Sequence, residues 1–101
     1  MPTIVCKRVR FWSQIDEEAF FAWAARIPGV SACRGVGDEI QLVIRRRRIS
    51  QHALLELVGL FMRHDIARMD QLAQFLNATN RRWFADPRKD YHRKVFPKGA
   101  S

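Results

Sequence analysis

The chain has 101 residues, of which 48% are hydrophobic and 11% aromatic, which predicts one folded domain and excludes a disordered segment. Residues 1–44 carry five basic and five acidic side chains, so the whole net charge of +8 lies after residue 44. This asymmetry favours an acidic partner such as nucleic acid, an anionic membrane surface or an acidic protein. The N-terminus lacks the apolar core of a signal peptide and no stretch is long enough to span a membrane, which predicts a cytoplasmic protein.

The first predicted strand runs from residue 3 to residue 12, and its side chains alternate between two faces. We assign to the buried face Val5, Val9 and Phe11. The open face would then carry Ile4, Cys6, Arg8 and Arg10. This assignment depends on uninterrupted alternation, because a single bulge would exchange the two faces.

A helix is predicted to follow, because Ser13 and Asp16 form an S-x-x-D start signal and Pro28 with Gly29 forms a stop signal. Its apolar face would carry Phe20, Trp23, Ala24 and Ile27. A short second strand is predicted over residues 30–35, and the Gly37-Asp38 turn leads into the third strand.

The third strand, residues 39–44, alternates with Ile40, Leu42 and Ile44 on the buried face, and four consecutive arginines follow it. By the same alternation, Arg45 and Arg47 continue the open face, whereas Arg46 and Arg48 continue the buried face beyond the core. Unpaired charges in an apolar interior are too costly to bury. The arginines must therefore lie at an end of the sheet, in water or against an anion.

A second long helix is predicted from Ser50, a good N-cap, to about Arg63. Its apolar stripe would carry Leu54, Leu57, Val58 and Phe61, widened by Leu55 and Met62. Gly59 weakens the helix, and we expect it where the helix approaches the sheet closely. A shorter helix is predicted over residues 70–76.

These elements predict an α+β fold: a single two-layer domain, residues 1–101, with the order strand, helix, strand, strand, helix, short helix. The simplest topology is a three-stranded antiparallel sheet of order 2-3-1 with the long helices on one face. The core would span residues 3–76 and be followed by an irregular, basic and aromatic tail, residues 80–98.

The tail has two interpretations. In the first, its aromatic side chains pin it to the core while its charges are solvated. In the second, some aromatic rings stack on bases or fill a partner's pocket while the basic residues hold phosphates. The aromatic contact candidates are Trp83 and Tyr91.

No motif for catalysis, a metal or a cofactor is present, so we expect a protein that is not an enzyme. Cys6 and Cys33 match no metal-ligand spacing and are expected to be free thiols that are buried or half-buried. His64 and Asp65, joined by His92 and Asp90, form one weak candidate cluster, because adjacent helix residues do not face each other.

Clustered arginine and lysine suffice for phosphate binding. We therefore predict a small, basic binding module that contacts a polyanion, nucleic acid, with little sequence selectivity, since the strands lack the stacking aromatics of RNA-recognition sheets. The candidate residues are Arg8, Arg10, Arg45, Arg46, Arg47, Arg48, Arg81, Arg82, Arg88, Lys89, Arg93 and Lys94. The alternative is a protein-interaction or regulatory module, a homodimer among the options, without a nucleic-acid role.

Overall fold

The computed structural model describes residues 2–97. The strands are β1 (Thr3–Lys7), β2 (Val30–Val36) and β3 (Glu39–Ile44). The helices are α1 (Gln14–Arg26), α2 (Gln51–Arg63), α3 (Arg81–Phe84) and α4 (His92–Val95), with a 3₁₀ helix at Met69–Phe75. The ends of the predicted domain, residue 1 and residues 98–101, lie outside this range, and so does the last residue of the predicted tail.

The three strands form one antiparallel sheet in the order β1-β3-β2, which confirms the predicted α+β fold and its strand order. Gly37 has a φ of 61° in the two-residue turn between β2 and β3, a conformation that glycine adopts without strain. Central strand β3 buries Ile40, Leu42 and Ile44, as its alternation predicts. These side chains join one hydrophobic core with residues of α1 and α2.

The prediction for the first strand is wrong in both length and parity. Strand β1 ends at Lys7, because Arg8 adopts a left-handed conformation with φ of 51° and turns the chain away from the sheet. Ile4 and Cys6 are fully buried, and Val5 lies on the opposite face. Arg8 and Arg10 therefore do not continue the open face of the strand.

Both thiols point toward the helices, which corrects the assignment of Cys6 to the open face. Cys6 pairs with Ile40 and Cys33 pairs with Leu42, so all four side chains share the buried face of the sheet. Cys6 is buried and Cys33 half-buried, as expected for free thiols. Because β3 separates their strands, the Cα atoms are about 9 Å or more apart, beyond the reach of a disulfide.

The two long helices begin at the predicted serine caps. The Ser13 hydroxyl accepts a hydrogen bond from the backbone N–H of Asp16 at 3.1 Å, and the Ser50 hydroxyl accepts one from Ala53 at 3.1 Å. Each bond satisfies a donor that the first helical turn leaves without a partner. Local sequence therefore fixes where both helices start.

The packing of α2 differs from the predicted stripe at its edges. Leu54, Leu57, Val58 and Phe61 are buried as predicted, and Ala53 and Leu60 join them. Leu55 and Met62, expected to widen the stripe, are 44% and 37% exposed. Gly59 faces α1: a Cβ built there would lie 3.4 Å from the Trp23 ring, so the close approach is to a helix and not to the sheet.

The 3₁₀ helix replaces the predicted short helix and lies along the outer edge of β1. The Gln71 side chain accepts a hydrogen bond from the backbone N–H of Val5 at 2.8 Å and donates one to the Val5 carbonyl at 2.6 Å. One amide side chain thus pairs with the edge strand as a neighbouring backbone would.

The tail is not irregular, because it contains the two short helices α3 and α4. Phe84, Tyr91 and Val95 are buried, and Trp83 and Phe96 pack against the core. Helix α4 contacts the 3₁₀ helix. The interpretation in which the tail aromatics pin it to the core is confirmed, and the core extends to residue 96.

Candidate functional site

The arginine loop, Arg45–Arg48, connects β3 to the N-cap of α2 and is held at both ends. The backbone N–H of Arg45 donates to the Gly29 carbonyl at 2.7 Å, which ties the start of the loop to the start of β2. Ile49, directly after the loop, packs against the core. All four arginine side chains are exposed. The loop therefore presents its charges from an anchored backbone.

Three neighbouring clefts border this loop, and Arg48 lines all of them. The largest, about 460 Å³, lies between Arg47, Arg48 and residues 74–79. A second, about 240 Å³, lies between the loop and the Pro28-Gly29 corner. The smallest, about 110 Å³, separates Arg48 from Asn80 and Trp83. The loop is thus adjacent to the segment that leads into α3.

Hydrogen bonds of two asparagine side chains hold that segment in place. Asn77 and Asn80 each accept a hydrogen bond from the other's backbone N–H through the side-chain oxygen, both at 2.9 Å. The Asn80 amide also donates to the buried Phe75 carbonyl at 2.8 Å. The exposed residues Arg81 and Arg82 follow directly, between Asn80 and Trp83. We call Arg45–Arg48 together with Arg81 and Arg82 the arginine surface.

The arginine surface has no neutralising partner in residues 2–97. No carboxylate of that range lies within 4.0 Å of a guanidinium of these six residues. Six exposed arginines, four on the loop and two at the start of α3, therefore face solvent without a partner in that range, and each raises the local potential experienced by an approaching anion.

The structure places Arg8 and Arg10 at the other end of the sheet. Lys7 pairs with Glu39 at the start of β3, whereas the arginine loop follows Ile44 at its end. The length of β3 separates them by about 17 Å. Arg8 forms an exposed ion pair with Asp38 at 3.4 Å. The two groups therefore do not form one continuous patch.

Basic residues of the second half of the tail lie beside acidic ones. Arg88 makes a two-pronged ion pair with Asp86 at 3.0 and 3.1 Å, and hydrogen bonds from its side chain lower the pKa of Asp86 to about 2. Lys94 lies 3.5 Å from a carboxylate oxygen of Asp65. Arg93 and Lys94 line a cleft that also contains Asp65 and Asp70.

The two aromatic contact candidates differ in availability. Tyr91 is 9% exposed, its hydroxyl donates to the Trp83 carbonyl at 3.4 Å, and burial raises its pKa. Its ring lies near Phe84 in the core and has no free face for a base. Trp83 is half-buried and borders the smallest cleft beside Arg48. Of the two, Trp83 alone is near the arginine surface.

The weak candidate cluster of the sequence analysis, centred on His64 and Asp65, does not form. His64 Nε2 lies 3.7 Å from Asp16, Asp65 contacts Lys94, and the His64 ring packs edge-on against Phe20. Sequence reasoning missed the approach of His64 to Asp16, because it depends on how two helices pack and leaves no local signal. Among the described residues, no three His, Cys, Asp or Glu side chains lie close enough to hold a metal.

The open face of the sheet has no aromatic side chain in its three strands. Its alternating positions are Thr3, Val5, Lys7, Ala32, Arg34, Val36, Glu39, Gln41 and Val43. The face is therefore mixed in charge and polarity, and it offers no ring on which a base could stack.

Across residues 2–97, no helix has the length and apolar character needed to cross a bilayer. Comparison of the chain with protein-family models, with curated proteins and with solved structures found no match in any of the three.

Proposed function

We propose that this protein is a binding module without enzymatic activity, and that the arginine surface contacts the phosphates of a nucleic acid. The observation that carries the proposal is the group of six exposed arginines with no carboxylate within 4.0 Å in the described chain. Phosphates can replace the missing counter-charges, and the release of condensed counterions favours this exchange. Arginine also binds phosphate through two parallel hydrogen bonds.

The contacts proposed here distinguish poorly between base sequences. The open face of the sheet has no stacking ring, and the arginine surface offers guanidinium groups that match phosphates of any sequence. Trp83 borders a cleft with Arg48 and could add a stacking contact, although it is partly buried against the core. We therefore expect similar affinity for unrelated sequences of equal length.

The test is a salt titration of binding to labelled single-stranded and duplex oligonucleotides, with variants at both ends of the sheet. The variant R45S/R47S removes two charges from the arginine loop, and R8S/R10S removes two from the opposite end. For a duplex, the logarithmic salt slope should fall by about 1.8 in R45S/R47S, because each phosphate contact contributes about 0.9. The slope of R8S/R10S should match that of the unmodified protein.

Both variants should unfold at nearly the same temperature as the unmodified protein, because exposed arginine side chains contribute little to stability. Equal losses of affinity in the two variants would mean that only the net charge matters. Binding that is absent even at about 50 mM salt would refute the proposal.

A further inference from the structure

The outer face of α1 is apolar, although the inner face of the same helix already faces the core. Phe20, Ala24 and Ile27 are buried on the inner side. Ile15, by contrast, is 77% exposed, and Trp12 just before the helix is 82% exposed. These are the two most exposed large hydrophobic side chains in residues 2–97. Exposed apolar patches of this kind commonly mark interaction sites.

The outer face continues along the whole helix. Ile15, Ala19, Ala22 and Arg26 follow one another at spacings of four, three and four residues, which places them on one stripe. Ala25 borders the stripe near its end, and all five side chains are exposed. Small side chains in the second half would allow another helix to approach closely there.

The shape and the charge of this face both change from one end to the other. Ile15 lies at its start, with Trp12 just before the helix, and the exposed carboxylate of Glu18 flanks Ile15 one turn further on. Its end carries Arg26, whose guanidinium has no carboxylate within 4.0 Å in the described part of the chain. The face is thus bulky and acidic at one end, and small and basic at the other.

We propose that the outer face of α1 binds the same face of a second copy of this chain, with the two helices antiparallel. A two-fold axis between Ala19 and Ala22 would bring these alanines to the point of closest approach. Ile15 would then rest against Ala25 and the aliphatic stem of Arg26 of the other copy. The same arrangement opposes the helix dipoles.

The charges also match in this arrangement. Arg26 of one copy comes within one helical turn of Glu18 of the other, which long side chains can bridge. Because the contact is isologous, each pair forms twice. A parallel arrangement would instead place the acidic ends together. The antiparallel second copy is therefore the occupant that fits both the shape and the charge of this face.

The expected association is weak. Helix α1 has 13 residues and is about 20 Å long, so the contact is smaller than the roughly 1,200 Å² of a standard stable interface. Trp12, with Arg10 stacked 6.0 Å from its ring centroid, adds the residue types that most often anchor interfaces. We expect a dissociation constant of about 10 μM or weaker.

The test is sedimentation equilibrium of the purified chain over about 1 μM to 1 mM, the range that a weak dimer requires. The unmodified protein should pass from monomer to dimer within this range. The variant A22R places a charge at the closest approach and should remain monomeric. L55R adds the same charge at an exposed site of α2 and should dimerise like the unmodified protein.

Charge exchange makes the test specific for a second copy of this chain. E18R and R26E each place like charges opposite one another and should weaken the dimer about tenfold. The double variant E18R/R26E restores opposite charges and should recover most of the affinity. These surface variants remain informative if A22R fails to fold. A chain that stays monomeric to about 1 mM, dissociation in L55R, or no recovery in E18R/R26E would overturn the proposal.

Discussion

Gly59 lies where α2 passes Trp23, whose indole N–H donates to Glu56 at 2.8 Å. A Cβ at Gly59 would touch the ring at 3.4 Å, close to an ordinary van der Waals contact. We therefore expect G59A to raise the free energy of unfolding by about 0.5–1 kcal/mol, because alanine restricts the unfolded chain and favours the helix.

Urea unfolding of G59A measures this gain, and Gly37 provides the control. With φ of 61°, Gly37 has a conformation that alanine adopts only with strain, although space around it is open. G37A should therefore lose about 1 kcal/mol. A loss of stability in G59A would show that the approach of Trp23 requires glycine.

The thiol of Cys6 is predicted to destabilise the protein at high pH. Burial, with a smaller contribution from Cys33, raises its pKa from 9.0 to about 12. Below 9.0 the thiol is protonated in both the folded and the unfolded chain, so its contribution to stability is complete. As the pH rises toward 12, the unfolded chain loses the proton first, and stability falls.

Urea unfolding at about pH 8 and about pH 11 measures this fall. The decrease in the free energy of unfolding between the two pH values should be smaller in C6A than in the unmodified protein. The cavity that C6A creates lowers stability at both pH values, so it does not affect this difference. An equal decrease would contradict a thiol pKa that burial raises.

At the residue scale, the sequence predicts what depends on neighbours along the chain. The caps at Ser13 and Ser50 are such features, and both are confirmed. The prediction placed Val5, Val9 and Phe11 on one buried face, as if the strand continued past Arg8. The chain changes direction at Arg8, so this alternation does not describe β1 and the predicted faces were exchanged. Nothing in the residue type of Arg8 indicates a left-handed conformation.

At the scale of elements, the C-terminal segment is the part of the core that sequence periodicity could not describe. Helices of four residues make one turn and have no amphipathic period. Its aromatic composition was compatible with burial or with contact to a partner; Phe84 and Tyr91 are buried, Tyr91 despite being a contact candidate. The free energy that holds the segment therefore comes from tertiary contacts.

Removal of this segment is predicted to unfold the protein. Phe84 is fully buried, and F84A should cost about 3–5 kcal/mol. A chain that ends at Thr79 also loses Val95 and Tyr91 and should show no cooperative thermal transition. R82S, on the exposed side of α3, serves as the control for F84A and should change stability by less than about 0.5 kcal/mol. An unchanged melting curve after truncation would contradict the buried positions of these side chains.

At the scale of the whole molecule, the sequence predicted the sheet order but not the distribution of charge over the surface. The strand order depends on short connections and on the alternation of side chains, and both can be read from the sequence. The separation of Arg8 from Arg45 depends on which end of β3 each residue adjoins, and hence on where β1 ends. Because the sequence predicted a strand that continued to residue 12, it placed Arg8 on the same face as Arg45 and did not predict this separation.

The hydrogen bonds of Gln71 make the two edges of the sheet differ in how readily they can pair with a further strand. Edge strands present rows of free N–H and C=O groups that recruit further strands. Gln71 occupies the middle of that row on β1, at Val5, whereas β2 has no such cover among the described residues. We therefore expect strand exchange, peptide capture and fibrillar aggregation to begin at β2. Gln71 thus covers part of one edge of the sheet, at β1, and leaves the other edge, β2, as the more open one.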